Sequence, residues 1–174
     1  MRYSRNDNFL TYRIHSWVFG YNEKKYWKKR NIVVNKDIKR PKLIKLLHLI
    51  YCKKAEAKNA ASMGTALNAG AQFASQPNLP HGLAGIFVSH SAIIGENCTI
   101  LQNVTIGSSK GKAPVIGANC IIGAGAVIIG DVKIGNNCCI GANTTVSKDV
   151  PDNTTVVSAT PRYIEHKEKV DFKF

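Results

Sequence analysis

The stretch that decides the fold runs from Val88 to Val150 and reads VSHSAIIGENCTILQNVTIGSSKGKAPVIGANCIIGAGAVIIGDVKIGNNCCIGANTTVSKDV. Aliphatic residues recur every six positions at Val88, Ile94, Ile100 and Ile106. They resume at Ile116, Ile122, Ile128, Ile134, Ile140 and Val146. Glycine follows directly in six of these ten, at Gly95, Gly107, Gly117, Gly123, Gly135 and Gly141. Four residues after nine of these ten stands a slim side chain: Ala92, Cys98, Val104, Cys120, Ala126, Val132, Cys138, Thr144 and Val150. A spacing of six keeps no single face at 3.6 residues per turn, so an amphipathic helix is excluded. Glycine at one fixed phase also argues against an ordinary alternating sheet. Hexapeptide periodicity predicts a mainly β fold, a left-handed parallel β-helix in which three hexapeptides close one triangular coil. The aliphatic residue points inward, the glycine is expected to permit the tight corner, and stacked coils bury one another.

One break interrupts the period. Ile106 to Ile116 spans ten residues, so four extra residues within Ser108–Pro114 leave the coil as an extruded loop, a frequent place for function. Upstream, Leu67 and Phe73 keep a trace of the repeat, and the β-helix is expected to begin between Met63 and Phe73. The expected organisation is a basic, largely helical region over 1–62, a β-helix domain over 63–164 and a polar tail over 165–174.

Charge divides the chain in the same way. The 174 residues carry 24 Lys and Arg against 11 acids, a formal charge of +13. Residues 1–60 hold 16 of those bases and 4 of those acids. Pro41 opens a helical pattern with Leu43, Leu46, Leu47 and Ile50 on one face and Lys42, Lys45, Lys53 and Lys54 around it. Phe9 to Lys29 is aromatic and basic, with Trp17 and Trp27 among its rings. This third reads as a cap over the open end of the β-helix. Its lysine clusters suit an anionic membrane or glycan as a further partner. Nucleic-acid binding would draw on the same charge, but no base-reading motif accompanies it, so none is expected. No stretch approaches the roughly 20 apolar residues of a spanning helix, and the first twenty residues lack the apolar run of a secretory signal. The expected location is the cytoplasm, with peripheral contact at the inner membrane face. The five cysteines form no metal or disulfide spacing, and Cys98, Cys120 and Cys138 fall on the slim inward phase. No metal is expected.

Few side chains are left for chemistry. His81, in Leu79-Pro80-His81-Gly82 just before the regular coils, sits where no core position is required. It reads either as a general base or as a surface loop histidine. His90 reads as a surface side chain. Lys110 and Lys112 stand in the extruded loop, where they line a substrate entrance or are merely solvated.

The runs from Leu79 to Val88, Ile94-Gly95-Glu96-Asn97-Cys98 and Asn103-Val104-Thr105-Ile106-Gly107 resemble the hexapeptide-repeat O-acetyltransferases. The closest branch is that of serine acetyltransferase and the capsule and O-antigen sugar acetyltransferases. Ile122 to Ala126, Ile140 to Asn143, Val146 to Pro151 and Pro161-Arg162 are similar to the acetyl-CoA end of that family, and the resemblance covers roughly residues 64–165. It implies that His81 deprotonates an acceptor hydroxyl for direct attack on acetyl-CoA. It also implies that backbone groups at Ala124 and Ala142 meet the pantetheine, and that Ser147, Lys148 and Arg162 lie near the CoA phosphates. A homotrimer with active sites between subunits is implied as well. Three departures are visible. Ala66 occupies the position of an Asp that orients the histidine in serine acetyltransferases. The loop reads Lys112-Ala113-Pro114, without their second histidine. The His81–Gly85 spacing is one residue longer. The acceptor expected on these grounds is a sugar of a bacterial surface polysaccharide or its precursor. Serine or another small acceptor, and a non-catalytic scaffold acting through residues 1–60, are the alternatives. Asn78 or a backbone carbonyl is the expected partner for His81.

Overall fold

In the computed structural model, which describes residues 16–18 and 20–159, helical residues 16–18 and two further helices precede a parallel β-helix of five coils. The helices are α1 (Glu23–Val34) and α2 (Lys42–Lys58). A two-residue hairpin, β1 (Thr65–Ala66) and β2 (Ala69–Gly70), opens the β-helix. Three four-stranded parallel sheets then form the faces of a prism. The first face holds β4 (Phe87–Val88), β7 (Thr105–Gly107), β10 (Val127–Ile129) and β13 (Thr145–Val146). The second holds β3 (Gln72–Phe73), β5 (Ile93–Ile94), β8 (Val115–Ile116) and β11 (Lys133–Ile134). The third holds β6 (Thr99–Ile100), β9 (Ile121–Ile122), β12 (Cys139–Ile140) and β14 (Thr155–Val156).

Register confirms the repeat. Ile94 lies over Ile116 and Ile134 over it in turn, while Ile106 stacks between Val88 and Ile128. All ten periodic aliphatic residues and all nine slim ones are buried. Cys98, Cys120 and Cys138 stack along one corner, each thiol donating to a backbone carbonyl of the next coil, Gly117, Gly135 and Pro151 respectively. Burial raises the Cys98 thiol pKa and pushes Cys120 up to about 11, so they behave as small apolar fillers.

The corners correct one expectation. Most of the left-handed turn positions belong to asparagine: Asn97, Asn119, Asn137 and Asn153 have φ of 55–58° and pass side-chain hydrogen bonds down the corner. Four of the periodic glycines, Gly95, Gly117, Gly123 and Gly135, serve clearance instead. A Cβ on Gly95 would stand 2.5 Å from the carbonyl of Gly117, because the next coil passes directly beneath.

The helices cover the first coil, burying polar side chains (Arg30, Lys45 and Glu56) beside apolar ones (Tyr26, Trp27, Val33, Cys52 and Ala55). A coil end presents backbone carbonyls with no further strand to satisfy them, and donors from the helices supply that need. Arg30, 4% exposed, donates to Met63 O at 2.9 Å and Ala71 O at 2.7 Å. Lys45, 5% exposed, donates to Asn35 O and Asn68 Oδ1. Glu56 accepts from Tyr26, Thr65 and Lys53 at 2.6–2.9 Å. Trp27 meets Phe73 edge to face, so Phe73, in register with Ile94 of the next coil, also packs on α1. α2 turns Lys45, Cys52, Ala55 and Glu56 inward, so its leucine stripe faces out, with Leu43, Leu46, Leu47 and Ile50 all exposed. The expected tail, 165–174, lies outside the described residues.

Candidate functional site

His81 stands on a turn between the first coil's third side, where Asn78 bridges Thr99, and β4. The turn is anchored from inside by Leu79, Leu83 and Ile86, all buried. Gly82 and Gly85 both take left-handed φ, 63° and 62°, which lets the chain double back twice in five residues. Gly82 N donates to Leu79 O at 3.0 Å, and Gly85 N donates to Asn59 O at 3.0 Å. The Tyr21 ring lies 3.4 Å from where a Cβ would stand on Gly82. A rigid turn therefore carries an exposed imidazole at its tip. Among the described residues His81 makes no hydrogen bond or ion pair. The Asn78 amide, expected as its partner, donates to Thr99 Oγ1 at 3.3 Å instead. Ala66 lies in the β1–β2 hairpin and supplies no polar group.

Below this turn, one edge of the prism is a column of corners. Asn103 N donates to Ala84 O, Gly125 N to Gln102 O and Asn143 N to Ala124 O, at 2.8–3.0 Å. The column joins the His81 turn to Ala124 and Ala142. Small residues line it (Gly123, Ala124 and Gly125, then Gly141 and Ala142), leaving the backbone approachable. The amide N–H groups of Ala124 and Ala142 donate to no described residue, which suits a ligand with carbonyl acceptors spaced along a chain. Sequence reading overlooked Gln102 on this edge. Its Oε1 is buried with no hydrogen-bond partner among the described residues, beside the corner that links His81 to Ala124. An unpaired buried acceptor costs about 1–3 kcal/mol and marks a place where a donor would be held. Nothing in a single sequence separates such a glutamine from a surface one.

Ser147 and Lys148 lie elsewhere. They follow β13, on the edge across the first face from the His81 column, and both are exposed. The extruded loop shares their edge. It is closed by Ser109 N to Lys112 O and Lys112 N to Ser109 O, at 2.8 and 3.0 Å, and Lys112 pairs with Asp131 of the next coil. That hydrogen bond holds the Lys112 ammonium above its usual pKa. Lys110, at φ 50°, sits at the loop's tip, fully free to meet solvent or ligand. Within one chain the candidate base and the candidate cations thus stand on two different edges bounding the same face. Arg162 lies outside the described residues.

Comparisons with known proteins match this geometry. Residues 113–148 match the family described as bacterial transferase hexapeptide (six repeats). Over 90 residues the chain is 52% identical to serine acetyltransferase 5 of Arabidopsis thaliana, covering 49% of this chain and 28% of that protein. Over 109 residues it is 40% identical to the serine acetyltransferase of Staphylococcus epidermidis, covering 60% of this chain and 50% of that protein. Among solved structures, soybean serine acetyltransferase complexed with serine superposes with a TM-score of 0.57 at 32% identity, over 70% of this chain and 49% of that one. The chain spans half or less of the length of these relatives. The relatives and the solved structure named here are all serine acetyltransferases. Along its β-helix the chain carries the transferase hexapeptide repeat and is similar to the serine acetyltransferases.

Proposed function

We propose that the protein is an acetyl-CoA-dependent O-acetyltransferase with His81 as general base. The observation that carries this reading is the single column joining the exposed imidazole of His81 to the backbone groups at Ala124 and Ala142. In this reading neutral His81 takes the proton of the acceptor hydroxyl as its oxygen attacks the thioester carbonyl. A tetrahedral oxyanion forms, stabilised by backbone N–H donors. Its collapse expels the CoA thiolate, which receives the proton back from the imidazolium. Ala124 and Ala142 meet the pantetheine amides. Ser147 and Lys148, with Arg162, meet the CoA phosphates, where charge-assisted contacts are strongest.

Because those cations stand one edge away from His81, the site is completed by a second copy in a homotrimer, His81 facing the loop edge of its neighbour. Phe87 and Ile129 are exposed on the face between the two edges, the apolar surface such a contact would cover.

The relatives' names and the serine-bound soybean structure make L-serine the acceptor that the comparisons support best. A second reading, a sugar hydroxyl of a surface polysaccharide or its precursor, is favoured by two features of this chain. Ala66 offers no carboxylate, and the loop from Gly107 to Pro114 contains no histidine to hold an amino acid. Acetyl transfer to serine, hexoses, amino sugars and acidic oligosaccharides, followed by mass spectrometry, separates the two. Turnover on serine alone establishes the first reading, turnover on sugars alone the second, and no transfer to any acceptor rejects both.

A further inference from the structure

The outward face of α2 is at odds with ordinary packing. Leu43, Leu46, Leu47 and Ile50 follow the i, i+3, i+4, i+7 pattern of a buried stripe, yet they are 67%, 44%, 57% and 44% exposed. Among the described residues no helix is long and apolar enough to cross a membrane. At the N-terminal end of the same helix lies a cavity of about 280 Å³ lined by Lys36, Lys39, Arg40, Lys42 and Lys45, with no carboxylate among its walls. Lys45 is nearly fully buried there, and its ammonium is held only by neutral oxygens. The first turn of α2 contains no acidic residue, and Pro41 offers no side-chain cap. Its helix dipole therefore adds to the positive field of the cavity. A helix that carries an exposed apolar stripe and a cationic pocket at its N-terminal end suits a partner that is both apolar and anionic.

We propose that α2 is a peripheral docking element for a bilayer containing anionic phospholipid. The basic pocket takes a lipid phosphate, and Leu43, Leu46, Leu47 and Ile50 lie among the acyl chains just below the headgroups. Lys42 at one end and Lys54 at the other keep their ammonium groups at headgroup level. A second copy of the chain, with its formal charge of +13, brings no surplus of anionic groups to such a pocket. The proposal does not depend on the acceptor or on the transferase reading.

The test uses the full chain in a sedimentation assay. Vesicles of phosphatidylglycerol and phosphatidylcholine in equal parts are compared with vesicles of phosphatidylcholine alone. Binding is expected to the mixed vesicles only and to weaken as salt rises. The pair Lys39→Gln/Arg40→Gln is expected to lower affinity by about tenfold or more, each cation near the surface contributing about fivefold. The pair Leu46→Gln/Leu47→Gln alters exposed side chains, so folding by circular dichroism stays intact while vesicle affinity falls by at least about tenfold. Absence of binding to the mixed vesicles overturns the proposal, as does binding indifferent to the leucine pair. An oligomer dispersed by the leucine pair, in a protein with no vesicle affinity, would assign the face to a second copy and overturn it as well.

Discussion

Tyr21, one residue before the N-cap of α1, closes against Gly82, the neighbour of His81, with its ring 3.4 Å from the place a glycine Cβ would take. The same ring stands edge to face with Tyr26, whose hydroxyl donates to buried Glu56. The helical cap and the candidate catalytic turn are therefore one packed unit, although 60 residues separate them in sequence.

Tyr21→Ala removes that buttress. The expected result is a drop in kcat of about 10- to 100-fold, since small misplacements of a catalytic group carry penalties of that order. KM for acetyl-CoA should barely change, because Ala124 and Ala142 lie further down the β-helix. Steady-state kinetics of this variant beside wild type provide the check; equal losses in kcat and acetyl-CoA affinity would indicate general disruption instead.

Two glycines at the same phase of the repeat should respond differently to alanine. At Gly95 the new methyl group would stand 2.5 Å from the Gly117 backbone, whereas at Gly107 its nearest neighbour is Ile129 at 3.5 Å. Gly95→Ala is expected to cost about 1–3 kcal/mol or more, as overpacking against backbone does. Gly107→Ala should be close to neutral. Denaturant melts of the two variants decide it, and similar destabilisation would contradict clearance as the role of Gly95.

Gln102 trades stability for function in this account. Gln102→Leu removes an unpaired buried oxygen and should stabilise the fold by about 1 kcal/mol. The same change should weaken acetyl-CoA binding. A variant that melts lower and binds acetyl-CoA as wild type does would show that the oxygen has no ligand to serve.

Alkaline pH offers a fourth check. Burial pushes the Cys52 thiol from its usual value near 9 up to about 12. Folded protein then holds a proton that the unfolded chain gives up above pH 9, so the stabilising contribution is complete below that pH. It is lost as pH rises from 9 toward 12, by about 1.4 kcal/mol per pH unit for one such group. Between those limits, stability should fall less steeply in Cys52→Ala than in wild type. Parallel slopes would mean that Cys52 ionises freely in the native state.

How much of this was legible beforehand follows from what each element depends on. Ile94, Ile100 and Ile106 announce the coil because every coil meets the same packing problem, and the pattern repeats until it cannot be missed. The Asn97, Asn119 and Asn137 ladder was equally periodic. It escaped notice because glycine drew the conformational argument that asparagine satisfies at these corners. Leu43, Leu46 and Leu47 fitted a helix, but their direction follows from Lys45, Cys52, Ala55 and Glu56 taking the inward face of α2. That is a tertiary demand invisible in local spacing. His81 was legible from its Pro-Gly setting and from resemblance. Gln102 was not, because its burial depends on coils that stack only in three dimensions. The glycan acceptor expected from Ala66 and the loop is not what the comparisons favour. Two missing side chains weigh less there than likeness to serine acetyltransferases along the whole β-helix.

The most direct test is acetyl transfer by wild type and His81→Ala side by side, followed by the mass added to serine and to a panel of sugars. The account predicts that wild type acetylates an acceptor hydroxyl and that the variant loses about 10²–10⁴ in rate while its fold and assembly persist. Retained turnover in a well-folded His81→Ala would contradict the assignment of His81 as the base.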